Sequence, residues 1–445
     1  MILLISILLL GSCNERVNNK NNETEKFVND IALDSFFTSL HKKGMFNGSV
    51  AVKKEGELIF KEAYGTANFT MDTPFSTETA MEIASLSKQF TAAAILILKQ
   101  EKKLNLNDNI QEYLGESFPY PNIRIKHLLT HSSGLRDYED YFKKKWDTSE
   151  IAYNKDILAY FKNIKPDLIS QPGEKYHYSN SGYILLAEIV RVVSGEELDA
   201  FLKKKLFDPV NMSSSNFYGR DDIWTLKDYA PGYRINPATC DYVKPETLPG
   251  KSYYHFLSGR LGSGRLSTSL EDLITWDAIL YTDEILNKKS KELAFQAYPT
   301  EEEKDANYGF GWHVIQNDSL GKIVYHTGSW AGNLAYIKRY LDNKSLVIIL
   351  NNTSSPYMKE IRSKVEDYLE GKPLKIPDLK GTEILKKEIC TLNKNTIGEW
   401  YQSKSNISWD IEDLEKFSKQ YDKVGEHQKK ELIEMIIEFL NSNKA

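Results

Sequence analysis

The stretch ASLSKQF, Ala84 to Phe90, sets a serine three residues before a lysine. Residues three apart on a helix are surface neighbours, so Ser85 and Lys88 would meet. A serine at a helix start lies near the positive end of the dipole, which also favours a developing oxyanion. A lysine buried there is driven toward its neutral amine, which accepts a hydroxyl proton. The same spacing recurs at Ser39/Lys42 and Ser319/Lys322, but those sit in a charged cluster and in the turn NDSLGK. Only Ser85 opens an apolar, alanine-rich helical run.

Two further groups follow in order. YHYSNSG carries Tyr178-Ser179-Asn180 ahead of a strong helical pattern, so a phenol and an amide would project from its start. His326-Thr327-Gly328 ends a strand pattern and occurs once, whereas Tyr-x-Asn recurs at Tyr120-Pro121-Asn122. His127 and His131 are four apart in HLLTH, with no third ligand evident, which favours packing and hydrogen bonding over a metal. No cofactor or metal is expected.

These groups need a frame. GSVAVKKEGELIFKEAYG, from Gly48, reads as a hairpin about Glu55-Gly56. YGFGWHV, KIVYHTG, LAYIKRYL and SLVIILNN, between Tyr308 and Asn352, read as an antiparallel meander. Between them lies a mainly helical region, about 85–300. It includes SNSGYILLAEIVRVVSGEE, ending at Gly195, and SLEDLITWDAIL with a capping box of Ser269 and Asp272. PYMKEIRSKVEDYLEG adds a helix ending at Gly371. The expected fold is α+β, an antiparallel sheet flanked by helices with a large helical insert. Residues 372–381 read as a linker. Residues 382–445 read as a helical extension that includes a hairpin flanking Gly425 and could contact another protein.

Acidic residues, 62, nearly balance 57 basic ones, and the pI is near 6.0; no basic stripe points to nucleic acid. The apolar run Ile2–Leu10 is too short to span a bilayer but suits a signal peptide over 1–12. Leu10-Gly11-Ser12-Cys13 resembles a bacterial lipobox, which implies lipidation at Cys13, a polar tether over 13–26, and export to the envelope. Spacing alone leaves open whether Cys240 and Cys390 pair.

In the order and setting of these motifs the chain resembles the serine β-lactamase and penicillin-binding-protein superfamily, on the branch of class C β-lactamases, DD-peptidases and related esterases. The likeness runs from about Gly48 to Gly371, within a domain bounded at 27–371, and takes in IKHLLTHSSGL, GSGRLSTSLEDL and YGFGW. It implies an active-site groove between an α/β and a helical domain. Ser85 would be the acylated nucleophile, Lys88 its base and Tyr178 the proton shuttle. Asn180 would hold a substrate amide, His326 and Thr327 would face the substrate, and Gly328 would leave it room. The N–H groups of Ser85 and Ser329 would form the oxyanion hole. Most class C enzymes have lysine at the position of His326, which makes recognition of a substrate carboxylate conditional on protonation. No GxSxG elbow occurs. The implied function is an envelope-tethered serine hydrolase acting on an amide or ester: a peptidoglycan-type peptide, a β-lactam or a small ester. The alternative is a non-catalytic binder of cell-wall peptides or a partner on the same fold.

Overall fold

The computed structural model describes residues 29–304, 306–404 and 406–442. Cys13 and the signal and tether expected before residue 27 lie outside them. Six antiparallel strands form the main sheet: β1 (Gly48–Lys54), β2 (Glu57–Tyr64), β3 (His313–Asn317), β4 (Gly321–Trp330), β5 (Asn333–Tyr340) and β6 (Ser345–Asn351), in the order β2-β1-β6-β5-β4-β3. First and last segments thus build one sheet, joined where β1 pairs β6. The hairpin turns at Glu55 (φ 51°) and Gly56 (φ 88°), the left-handed pair that a two-residue connection favours. The meander begins later than its sequence pattern suggests. Tyr308–Trp312 leaves the sheet because Gly309 and Gly311 pack against backbone, a Cβ on Gly311 falling 2.7 Å from the carbonyl oxygen of Lys88.

Alternation along the strands divides the core. Val50, Val52, Val347 and Ile349 face α1 (Ile31–Lys42) and a later helix, Met358–Leu369. In α1, Leu33, Phe36, Phe37 and Leu40 recur at helical spacing and are buried, and Asp30 caps it by accepting from Ala32 and Leu33 N–H at 3.0 Å. Ala51, Val324, Ile337 and Ile348 face the other way, into the large core shared with α2 (Ser87–Gln100) and α3 (Asn180–Ser194). Twelve of the fourteen α2 residues are buried, so this helix is the central post of the molecule. α3 ends at Gly195 with φ 77°. α4 (Leu270–Ile279) is capped by Ser269, which accepts from the Asp272 N–H at 3.2 Å. The Asp272 carboxylate turns instead to Ser214 N–H and Ser215 Oγ, so only half of the expected capping box forms. Between residues 84 and 300 the described strands are just two residues long.

With Met358–Leu369 as α5, coil follows from 372 to 379. Four helices close the described chain: α6 (Gly381–Glu388), α7 (Ile397–Ser403), α8 (Ile411–Lys423) and α9 (His427–Ser442). They have their own core of Leu385, Ile397, Leu414, Tyr421, Ile433 and Ile436. A disulfide joins Cys390 to Cys240 in the body, 150 residues away. No helix among the described residues is long and apolar enough to cross a membrane.

Candidate active site

Ser85 lies in a 3-10 turn, Ala84–Leu86, that runs directly into α2. Ala84 has φ 48°, a left-handed conformation a small side chain tolerates at some cost. Its surroundings hold it there. The Ser87 hydroxyl donates to the Ala84 carbonyl at 2.6 Å and accepts from Leu266 N–H at 3.1 Å, while Ile83 N–H donates to Leu266 carbonyl at 2.9 Å. On the sheet side Gly328 presses on this turn; a Cβ there would stand 2.2 Å from the Ile83 carbonyl oxygen. Glycine is needed because the sheet edge touches backbone.

Lys88 is wholly buried, and its Nζ is 3.1 Å from Ser85 Oγ, 2.9 Å from Asn180 Oδ1 and 2.7 Å from the Ser263 carbonyl oxygen. Burial lowers its pKa to about 7, with Arg260 adding to the effect and Asp137 opposing it. A neutral amine has two N–H bonds and one lone pair. The Asn180 and Ser263 oxygens take the two hydrogens, which leaves the lone pair for the Ser85 hydroxyl. The ammonium form would use all three contacts as donor. The site therefore accommodates the lysine in both protonation states.

Tyr178 precedes α3, its ring 4.9 Å from Lys88 Nζ. Burial raises its pKa, opposed by a hydrogen bond with the Ser85 side chain, so the phenol stays protonated. His131 sets its position. The His131 Nδ1 accepts from Ser179 N–H at 3.1 Å, its carbonyl accepts from His177 N–H at 2.7 Å, and its ring lies 4.1 Å from that of Tyr178. Burial holds His131 well below the ordinary histidine range, as a neutral ring. His127 accepts from Arg124 N–H through Nδ1. Among the described residues no cluster of His, Cys, Asp or Glu is arranged to hold a metal ion.

Asn180 is bound at three points. Besides Lys88, its N–H donates to Asp137 at 2.9 Å and its Nδ2 to Glu139 at 3.3 Å. Burial raises the Asp137 carboxyl; Glu139, though also buried, is held below its usual value by Arg260 and Lys143.

His326, Thr327, Gly328 and Ser329 lie on β4 across from the Ser85 turn. Thr327 and Ser329 are exposed. His326 is 1% exposed, so its side chain lies beneath the groove surface, unlike the substrate-facing role implied by the resemblance. The His326 Nδ1–H donates to the Thr327 carbonyl at 2.7 Å, and Nε2 accepts from Tyr308 OH at 2.9 Å. Burial and nearby His313 and Lys88 keep it well below the ordinary range, hence uncharged. Tyr138 is fully buried core; Trp330 is partly buried under the Arg260 guanidinium at 3.9 Å.

Sequence reading had no signal for Asp137, Glu139 and Arg260. Ser263, His131 and Tyr308 lie inside the stretches GSGRLSTSLEDL, IKHLLTHSSGL and YGFGW, and their contacts explain why those stretches accompany the serine.

A groove-side serine bonded to a buried lysine, with a phenol above and a strand edge opposite, defines a class of enzyme. The chain belongs to the Beta-lactamase family, whose model matches residues 33–369, and it is a serine hydrolase of that type. It is 34% identical over 349 residues to penicillin-binding protein 4* of Bacillus subtilis (strain 168), covering 78% of this chain and 77% of that one. It is 27% identical over 337 residues to the teichoic acid D-alanine hydrolase of Staphylococcus aureus (strain MRSA252), covering 74% and 76%. The solved octameric penicillin-binding protein homologue of Pyrococcus abyssi superposes with a TM-score of 0.65 at 27% identity, covering 76% and 77%. The helices α6 to α9 lie beyond the family match.

Proposed function

We propose that the chain is an envelope-tethered hydrolase that acylates Ser85 with an amide or ester substrate. The observation that carries this reading is the buried Lys88 amine, pKa about 7, at 3.1 Å from Ser85 Oγ. Neutral Lys88 takes the hydroxyl proton as Oγ attacks the carbonyl carbon. The Ser85 and Ser329 N–H groups receive the oxyanion. As the C–N or C–O bond breaks, Tyr178 gives its proton to the leaving group and is reprotonated from the Lys88 ammonium. Water then reverses the path: it yields a proton to the same pair, attacks the acyl carbon, and Oγ recovers its hydrogen. Asn180 holds Lys88 and contributes to amide binding, while Thr327 lines the strand edge.

An uncharged His326 offers no fixed cation to a substrate carboxylate. This favours substrates whose leaving side lacks one. A D-alanyl group on a polymer, the class in the staphylococcal relative's name, fits better than a peptide ending in a free carboxylate. Export with a lipid on Cys13 agrees with the Cys240–Cys390 disulfide, which suits an oxidising compartment. A Cys13→Ala variant that still takes up labelled fatty acid would rule out that anchor.

Labelling with a fluorescent penicillin or phosphonate probe tests the nucleophile. The parent should carry the probe and Ser85→Ala should not; active-site labelling that survives in Ser85→Ala overturns the assignment. A panel of p-nitrophenyl esters, nitrocefin and D-alanyl compounds then ranks the substrates.

A further inference from the structure

Between the C-terminal helices and the body lies a cleft of about 560 Å³, separate from the nucleophile. Seven basic side chains line it against one carboxylate, Glu383. Composition does not explain this. Residues 382–445 hold twelve Asp and Glu and ten Lys, yet five of those lysines and one of those acids line the cleft. Lys386 pairs with Glu383 and Lys416 with Glu412. Arg234, Lys251, Lys387, Lys419 and Lys423 make no ion pair with any described residue. Lys416, Lys419 and Lys423 fall at i, i+3 and i+7 on one face of α8, where like charges weaken a helix. Such a stripe costs stability, and of its three lysines only Lys416 has a carboxylate partner, Glu412.

We infer that this cleft binds a linear polymer of phosphodiester units. Lysines, six of them lining the cleft here with one arginine, meet phosphate as mobile point charges without needing a fixed planar partner. Four such cations spread over this volume, with Lys387 turned to the Gly44 carbonyl at 2.8 Å, suit a repeated anion rather than one phosphate group. The cleft also adjoins the groove. Ser354, on its lining, donates its N–H at 2.7 Å to Gly332, in the turn that leaves β4 just past Ser329 and Trp330. Arg234 donates to Tyr254 OH at 3.2 Å, and the Tyr254 ring packs edge-on at 4.9 Å against Trp330. A bound strand would pass beside the groove mouth. This inference goes beyond the hydrolase reading and does not depend on Ser85.

Titration of full-length protein with fluorescent inorganic polyphosphate and with polyglycerol phosphate, followed by anisotropy at several salt concentrations, tests it. The parent and Ser85→Ala should bind alike, so failure of the hydrolase reading leaves this result untouched. The double variant Lys419→Glu/Lys423→Glu should bind at least tenfold more weakly, with the salt slope reduced by about one per cation lost. Lys102→Glu/Lys103→Glu, on a distant surface, changes net charge equally and should bind like the parent. Circular dichroism confirms that each variant is folded. Equal weakening by both double variants would overturn the inference in favour of general charge attraction. Poly-glutamate, or the phosphoanhydride-linked polyphosphate, bound more tightly than polyglycerol phosphate would overturn the phosphodiester assignment. Binding to anionic phospholipid vesicles without binding to either soluble polymer would overturn it in favour of a membrane surface.

Discussion

The groove and the cleft use lysine in opposite ways. Lys88 has lost contact with solvent, and that desolvation outweighs the oxygen acceptors around it, so its proton leaves near neutral pH. Lys419 and Lys423 lie exposed on α8, where water supports the ammonium and charge is what remains useful. In the proposed reading the same side chain is a base in one place and a permanent cation in the other, and the difference is desolvation. The two regions also differ in ancestry of contact. Groove residues come from segments far apart in the chain, whereas the lysine face of α8 is local to one helix.

That contrast can be broken most directly at Lys88. Lys88→Arg keeps the charge but not the transferable proton, so kcat should fall about 10²–10⁴-fold, as far as in Lys88→Met. Lys419→Arg, by contrast, should leave polymer affinity within about twofold, because only charge matters there. Near-parent turnover in Lys88→Arg would end the comparison.

The next effect is geometric. Gly328→Ala must displace the Ile83 carbonyl and with it the turn that carries Ser85. Misplacement on that scale costs about 10²-fold in kcat, measured by single-turnover acylation. Parent-like acylation would mean that the strand edge yields freely.

The pH dependence sharpens the same point. Below pH 7 the acylation rate should fall about tenfold per pH unit as Lys88 takes up its proton. The depressed value has a stability counterpart. Unfolded chains bind the extra proton between about pH 7 and the ordinary lysine range, so the Lys88 contribution to stability rises with pH across that window. Chemical denaturation of Lys88→Met between pH 7 and 10 should show a flatter profile than the parent.

A smaller change is expected at the tie between extension and body. Cys390→Ser opens a loop of 150 residues and should cost roughly 2–4 kcal/mol, seen as early melting of α6 to α9 by hydrogen exchange. Smallest of all, Glu412→Gln removes an exposed i,i+4 partner of Lys416 and should leave the denaturation midpoint almost unchanged.

Much of this architecture can be read from residue order because its signals are local. The hairpin at Glu55-Gly56, the helix ending at Gly195 and the Ser269 cap are each written in a few consecutive residues. The serine–lysine pair is equally local. Tyr178 and Gly328 are found through motif order, since spacing says nothing about their approach to Ser85. The burial of His326 escapes sequence reading because it depends on Tyr308 leaving the sheet through two glycines that must pack on backbone. Asp137, Glu139 and Arg260 escape it for a related reason: each is an ordinary charged residue until the fold removes its water. The pairing of Cys240 with Cys390 joins segments whose distance only the assembled chain determines.

That covalent tie has a mechanical consequence. The last four helices are moored twice, by the coil at 372–379 and by sulfur to a loop beside the basic cleft, so they cannot swing outward like a flap on one hinge. Whatever occupies the space between them therefore meets walls whose separation is limited by a covalent bond. A reducing agent would cut one mooring and leave the other to act as a hinge.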